Sequence, residues 1–159
     1  MSGEEDIQKA INDKELYLIG EFPPKDWEQV FNLSLPLAKA GDVKAQFNVG
    51  YSYAKGEVID QDFPKALEWY QKAADQNDPR AHYNLSLLYE SGLSGLQNSM
   101  KAKEHYDRSL ELGDDRSKIK TAFANAKEAF KRGDRDQARE LFTIAEASIE
   151  EAKAGIIAC

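Results

Sequence analysis

The residues best suited to recognition chemistry are amides and cations held in register. Lys44 and Asn48 lie four apart, Asn84 stands 36 after Asn48, and Arg116 and Lys120 stand 36 after Arg80 and Asn84. Asn amides donate neutral hydrogen bonds and converging cations donate charge-assisted ones, a set that suits a carboxylate. Residues for catalysis form no comparable pattern. His82 and His105 are the only histidines and are far apart in sequence, so they read as packing or surface residues. Gly92 and Gly95 lie in Ser-Gly-Leu-Ser-Gly with no Lys in the P-loop position, and no serine sits in a nucleophile-elbow context. Cys159, at the terminus, reads as an incidental exposed thiol. The expectation is a protein that is not an enzyme and that uses no cofactor and no metal.

Such a spacing requires elements that repeat. Ala45-Gln46-Phe47-Asn48 returns as Ala81-His82-Tyr83-Asn84, displaced by 36. The same step takes Tyr53 to Tyr89, Gly56 to Gly92, Lys65-Ala66 to Lys101-Ala102 and Tyr70 to Tyr106. A further step takes Ala66 through Ala102 to Ala138, and Glu68 through Glu104 to Glu140. A fixed period of this length marks stacked supersecondary units.

Each unit reads as two helices. The first runs from Val43 to Lys55, with Gly50 where a partner helix crosses closely and Gly56 as a left-handed stop. Pro64 suits the first turn of the second helix, whose apolar stripe is Ala66, Leu67, Tyr70, Ala73 and Ala74. The second unit repeats this from Pro79 to Gly113. The third is worn: Ser117 to Arg132 reads as uninterrupted helix, because Glu128 stands where Gly56 and Gly92 broke the earlier ones. Gly133 ends it, which also suits a shorter register displaced by four residues, and Asp134 caps a long last helix striped by Ala138, Leu141, Phe142, Ala145, Ile149 and Ala152. Ile7 to Ile19 and Trp27 to Ala40 form a worn pair ahead of the clear units. The aromatic residues Tyr53, Trp69, Tyr70, Tyr89 and Tyr106 fall on positions that join neighbouring helices.

Val49-Gly50-x-x-Tyr53, Gly56, Asp62, Lys65-Ala66, Trp69-Tyr70 and Lys72-Ala73-Ala74 resemble the Sel1-like repeat, a branch of the tetratricopeptide superfamily. The resemblance implies an all-α, right-handed solenoid of about four antiparallel helix pairs that works as a protein-binding scaffold. On this reading residues 1–159 are one solenoid domain. It comprises a degenerate pair over 7–41, two clear repeats over 42–113 and a degenerate repeat with a long last helix over 114–159. A disulfide-rich branch of the family carries a Cys pair per repeat; this chain has none.

In tandem helix pairs the first helices line the concave side, which solenoids use for partners. If Gly50 and Tyr53 point into the packing, the open face carries Lys44, Phe47, Asn48 and Tyr51, then Arg80, Tyr83, Asn84 and Leu87, then Arg116, Ile119, Lys120 and Phe123. Lys44, Asn48, Asn84, Arg116 and Lys120 resemble the carboxylate clamp of tetratricopeptide co-chaperones, which implies an acidic or C-terminal peptide as ligand. The Asn residues have a second role open to them, bridging helix to helix within the scaffold.

Composition limits the partners. The 159-residue chain carries a formal charge of -7, with 42% apolar and 31% charged residues. An acidic protein repels phosphate, which disfavours nucleic acid and anionic membranes. No stretch approaches the roughly 20 apolar residues of a spanning helix. One Cys excludes an internal disulfide and a thiolate metal site. Met1 to Asp6 lacks the basic start and apolar run of a secretory signal, so the chain reads as cytoplasmic, or as one whose signal has been removed. The leading expectation is a non-enzymatic scaffold, monomeric or weakly homodimeric, that binds another protein. Ile156, Ile157 and Cys159 either cap the last unit or meet a second copy. The alternatives are a bacterial immunity protein that neutralises a toxin and, from another class, a hydrolase.

Overall fold

The computed structural model describes residues 27–95 and 97–157, with side chains over 28–95 and 97–150. The expected helix from Ile7 to Ile19, the side chains of Ile156 and Ile157, and Cys159 lie outside the described residues. Among the described residues seven helices follow one another: α1 (Trp27–Lys39), α2 (Val43–Lys55), α3 (Phe63–Asp75), α4 (Pro79–Ser91), α5 (Ser99–Glu111), α6 (Asp115–Lys131) and α7 (Arg135–Ile157). Among the described residues there is no strand. Each helix packs on the next, as in an all-α solenoid.

Local chemistry sets the boundaries. Asp42, Asp78 and Asp114 are N-caps of α2, α4 and α6, each accepting a backbone N–H from the first turn. Each cap follows a residue with positive φ: Gly41 at 103°, Asn77 at 62° and Gly113 at 89°. There the chain turns left-handed and the Asp N–H returns to the previous helix, Asp42 to Leu37 O, Asp78 to Ala73 O and Asp114 to Ser109 O. Every unit boundary is therefore a C-terminal stop joined directly to an N-cap.

Within the units, Asp62 and Asn98 cap the second helices. Gly50 explains the close crossing of α2 and α3. A Cβ at this position would lie 2.8 Å from Tyr70 Cδ1 and 3.3 Å from the Ala66 carbonyl oxygen, so no larger residue fits without displacement. The largest apolar cluster joins α2, α3 and α4 through Phe47, Ala66, Tyr70, Ala81 and Leu85. A second cluster joins α1 to α2 through Phe31, Ala38, Ala45 and Val49. Of the aromatic residues expected between helices, Tyr70 is fully buried and Tyr53, Trp69, Tyr89 and Tyr106 are half-buried.

The third unit keeps the 36-residue register. α6 runs one turn longer than α2 or α4, and the link to α7 is shorter than the one before α5. The two changes compensate, so Asp134 donates its N–H to Ala129 O and accepts from Gln137 N as the cap of α7.

Candidate partner-binding face

The first helices of the three units begin alike: an Asp cap, then a cation two residues on, at Lys44, Arg80 and Arg116. The Arg80 guanidinium folds back onto its own cap, with Nη2 2.7 Å from Asp78 Oδ2. Its central carbon lies over the Phe47 ring, 4.4 Å from the centroid. Arg116 repeats the arrangement, with Nη2 3.3 Å from Asp114 Oδ2 and its carbon 4.2 Å from the centroid of Tyr83. Phe47 and Tyr83 are themselves 36 apart, so carboxylate, guanidinium and ring form a layer that recurs from unit to unit. A guanidinium suits this position because it accepts a ring against its plane while its edge donates to a carboxylate.

Arg116 also ties neighbouring units together. It donates to Asn84 Oδ1 at 3.2 Å and to the Arg80 carbonyl at 3.3 Å. The Asn84 amide in turn hydrogen-bonds the Tyr70 hydroxyl. Burial pushes the Tyr70 phenol above its ordinary range; the Asn84 bond and the Arg116 charge oppose this only in part. Asn84 and Arg116 are thus brought into contact with each other. Tyr83 and Asn84 are half-buried, Tyr51 is half-buried beside the central cluster, and Leu87 and Lys44 are exposed. Lys120 lies over Tyr106 at 5.3 Å and lines a cleft of about 450 Å³ with Ser86, Lys103 and Thr121.

Two residues expected on the open face are inside. Phe47 and Asn48 have 0% exposure. Phe47 is covered by Arg80 and by Tyr70, whose ring centroid is 5.6 Å away. Asn48 sits inside α2, where its carbonyl accepts from Ser52 Oγ at 3.0 Å. The cause is that α2 is covered on several sides at once, so every residue from Ala45 to Gly50 is buried. The sequence pattern also missed Asp78 and Asp114 as the groups that hold the two arginines, although Asp-x-Arg before an apolar helix is visible in the chain.

The histidines also require correction. Far from being distant, His82 Nδ1 and His105 Nδ1 are 2.9 Å apart, and Tyr89 stacks on His105 at 5.6 Å with planes 6° apart. The ring centroids of the two histidines are 5.1 Å apart, about the nitrogen–nitrogen distance plus two ring radii. The nitrogens therefore point at each other, as one N–H···N hydrogen bond requires, rather than converging on a third point as two metal ligands would. Burial lowers the proton affinity of both rings, and for His105 the neighbouring His82 adds to this. Among the described residues, no group of three His, Cys, Asp or Glu could hold a metal ion.

Residues 43–78 and 79–114 each match the Sel1 repeat. The chain is similar to the crystal structure of a Sel1 repeat protein from Oxalobacter formigenes, with 28% identity and a TM-score of 0.60 over 91% of this chain and 60% of that one. It is also similar to a protective antigen present in uropathogenic Escherichia coli strains that displays an SLR fold, with 25% identity and a TM-score of 0.59 over 86% of this chain and 30% of that one. The chain thus spans less than two thirds of the length of either. No curated protein matches it. Sel1 repeat proteins generally act as protein–protein interaction scaffolds, and the fold is typically non-enzymatic. The 36-residue period and the two matches show that the chain carries two consecutive Sel1 repeats, in an all-α solenoid similar to those of known Sel1 repeat proteins.

Proposed function

We propose that this chain is a scaffold that binds an acidic segment of a partner protein on the side carrying the N-terminal halves of α2, α4 and α6. One observation carries the reading: the two guanidiniums are fixed on aromatic rings yet keep 25% and 35% of their side-chain surface exposed. Groups already held in place lose little freedom when they bind. Exposed Lys44 and Leu87, with Tyr51 and Tyr83, would border the ligand. The five-residue clamp is reduced on this reading to Asn84 and Arg116 with Lys44, because Asn48 is buried and Lys120 lines the neighbouring cleft.

The test is affinity capture from the native host with the whole chain, followed by titration of the captured protein. A charge-assisted hydrogen bond contributes on the order of 1.5–3 kcal/mol, so Lys44→Ala and Arg116→Ala should each weaken binding about tenfold or more. Added salt should weaken it further, since exposed charges are screened. Full affinity in both variants, each still folded by circular dichroism, would overturn the assignment of this face.

A further inference from the structure

The outer face of α7 repeats a surface that is occupied one unit earlier. Ser99, Ala102, Lys103 and Tyr106 line the cleft that α6 enters with Lys120 and Thr121. Their counterparts 36 residues on are Arg135, Ala138, Arg139 and Phe142, which line a groove of about 600 Å³ together with Phe130 and Glu146. The chemistry differs in one respect. The Tyr106 hydroxyl is hydrogen-bonded to Ser117 O and Thr121 Oγ1, whereas Phe142 carries no hydroxyl and leaves an apolar ring 39% exposed beside Phe130 at 61%.

The charges along this groove have an order. Arg135, Arg139, Phe142 and Glu146 fall at i, i+4, i+7 and i+11, which places them on one stripe of α7. The cations come first, the ring is central and the anion follows. Such a stripe is complementary to its own reverse. Two copies of α7 laid antiparallel, crossing between Phe142 and Thr143, set Arg139 of each copy opposite Glu146 of the other and Arg135 opposite Glu150, with the two Phe142 rings meeting at the centre. Within the chain, Arg135, Arg139 and Glu146 take no ion-pair partner among the described residues.

We infer that the chain forms a homodimer with two-fold symmetry through this face of α7. Self-complementarity singles out a second copy as the occupant, because a two-fold interface requires each pair to occur twice and an unrelated partner requires no such symmetry. The contact is separate from the side proposed to bind a partner, and a dimer would present that side twice.

The experiment is sedimentation velocity on the full chain from low micromolar to submillimolar concentration, with charge-swap variants. The wild type should pass from monomer to dimer over this range. Arg139→Glu and Glu146→Arg should each weaken dimerisation about tenfold or more, because each sets like charges opposite one another twice. The double variant, Arg139→Glu with Glu146→Arg, should recover it. The two residues are seven apart on one helix and do not touch, so rescue reports a contact between copies. Phe142→Ala should weaken association with helicity retained. A wild type that stays monomeric throughout would overturn the inference, as would a dimer indifferent to both single swaps or one that the double swap fails to restore.

Discussion

The α3–α4 junction and the α5–α6 junction occupy equivalent places in successive repeats but differ in material. In the first, Ala73, Ala81 and Leu85 are buried in the central cluster with Phe47 and Tyr70. Thirty-six residues on, those three positions are Ser109, Ser117 and Thr121. Each of these three apolar residues has become a hydroxyl-bearing one: Ser109 bonds Ser117, and Tyr106 bonds Ser117 O and Thr121. Arg116 adds its bonds to Asn84 and the Arg80 carbonyl. The apolar junction fills its space, while the hydroxyl junction is held by directional bonds and borders the cleft lined by Lys120. A common period places the helices; the side chains at the shared positions decide how tightly a junction closes.

The largest effect should come from overfilling the tight region. In Gly50→Leu even the Cβ meets Tyr70 and the Ala66 carbonyl, and the remaining atoms have no space. Overpacking of this kind costs ~1–3 kcal/mol, occasionally more. Ala122, the equivalent position in the third unit, is only half-buried, so Ala122→Leu should cost much less. Thermal unfolding followed by circular dichroism distinguishes the two. A domain of this size loses about 2–4 °C in Tm per kcal/mol. Equal losses in both variants would contradict the difference drawn between the regions.

A second contrast concerns pH. Gln46 and Trp69 in the first unit correspond to His82 and His105 in the second, so the same two positions hold titratable side chains in one unit and not in the other. Both histidines have folded-state proton affinities below the ordinary value, chiefly through burial, with Asp75 opposing the shift at each. The unfolded chain therefore binds more protons than the folded one as pH falls through about 6.5. The pair's contribution is complete above that pH and declines below it toward the lowered folded values. Urea unfolding at about pH 7 and 5 should show a smaller loss in His82→Gln than in the wild type. An unchanged slope would mean that the pair is not neutral in the folded state.

Much of the fold was legible because local chemistry and the repeat agree. Gly56 as a left-handed stop and Pro64 in a first turn fix α2 and α3, and Val43–Lys55 follows directly. The candidate face was legible only in part. A periodicity argument assigns each helix one buried stripe and leaves the rest open, but α2 lies against α1, α3 and the unit that follows. Phe47 and Asn48 therefore fall inside although their spacing places them on the open side. Arg80 and Arg116 were visible as cations, but their stacking on Phe47 and Tyr83 depends on the rise between units, which spacing within one helix does not encode. The His82–His105 contact depends likewise on the register between α4 and α5 across a glycine-containing loop.

The smallest effect should come from the loops, where the clear units share a device that the third lacks. Gln61 Nε2 donates to the Ala54 carbonyl at 2.8 Å, and Gln97 Nε2 donates to the Glu90 carbonyl at the same distance. Alongside them, Asp62 N–H reaches Tyr53 O and Asn98 N–H reaches Tyr89 O, each at 2.9 Å. Together these bonds tie the start of α3 to the end of α2, and the start of α5 to the end of α4. The third unit dispenses with this lock by extending α6 and turning within three residues. Both glutamines are exposed, so water replaces much of what a truncation removes, and Gln61→Ala or Gln97→Ala should each cost about 0.5–1 kcal/mol. The more sensitive readout is amide hydrogen exchange at Asp62 and Asn98: each variant should lose protection at its own loop first, with protection at Asp134 unchanged. A loss spread evenly over all three units would show that the loops open only with the whole molecule.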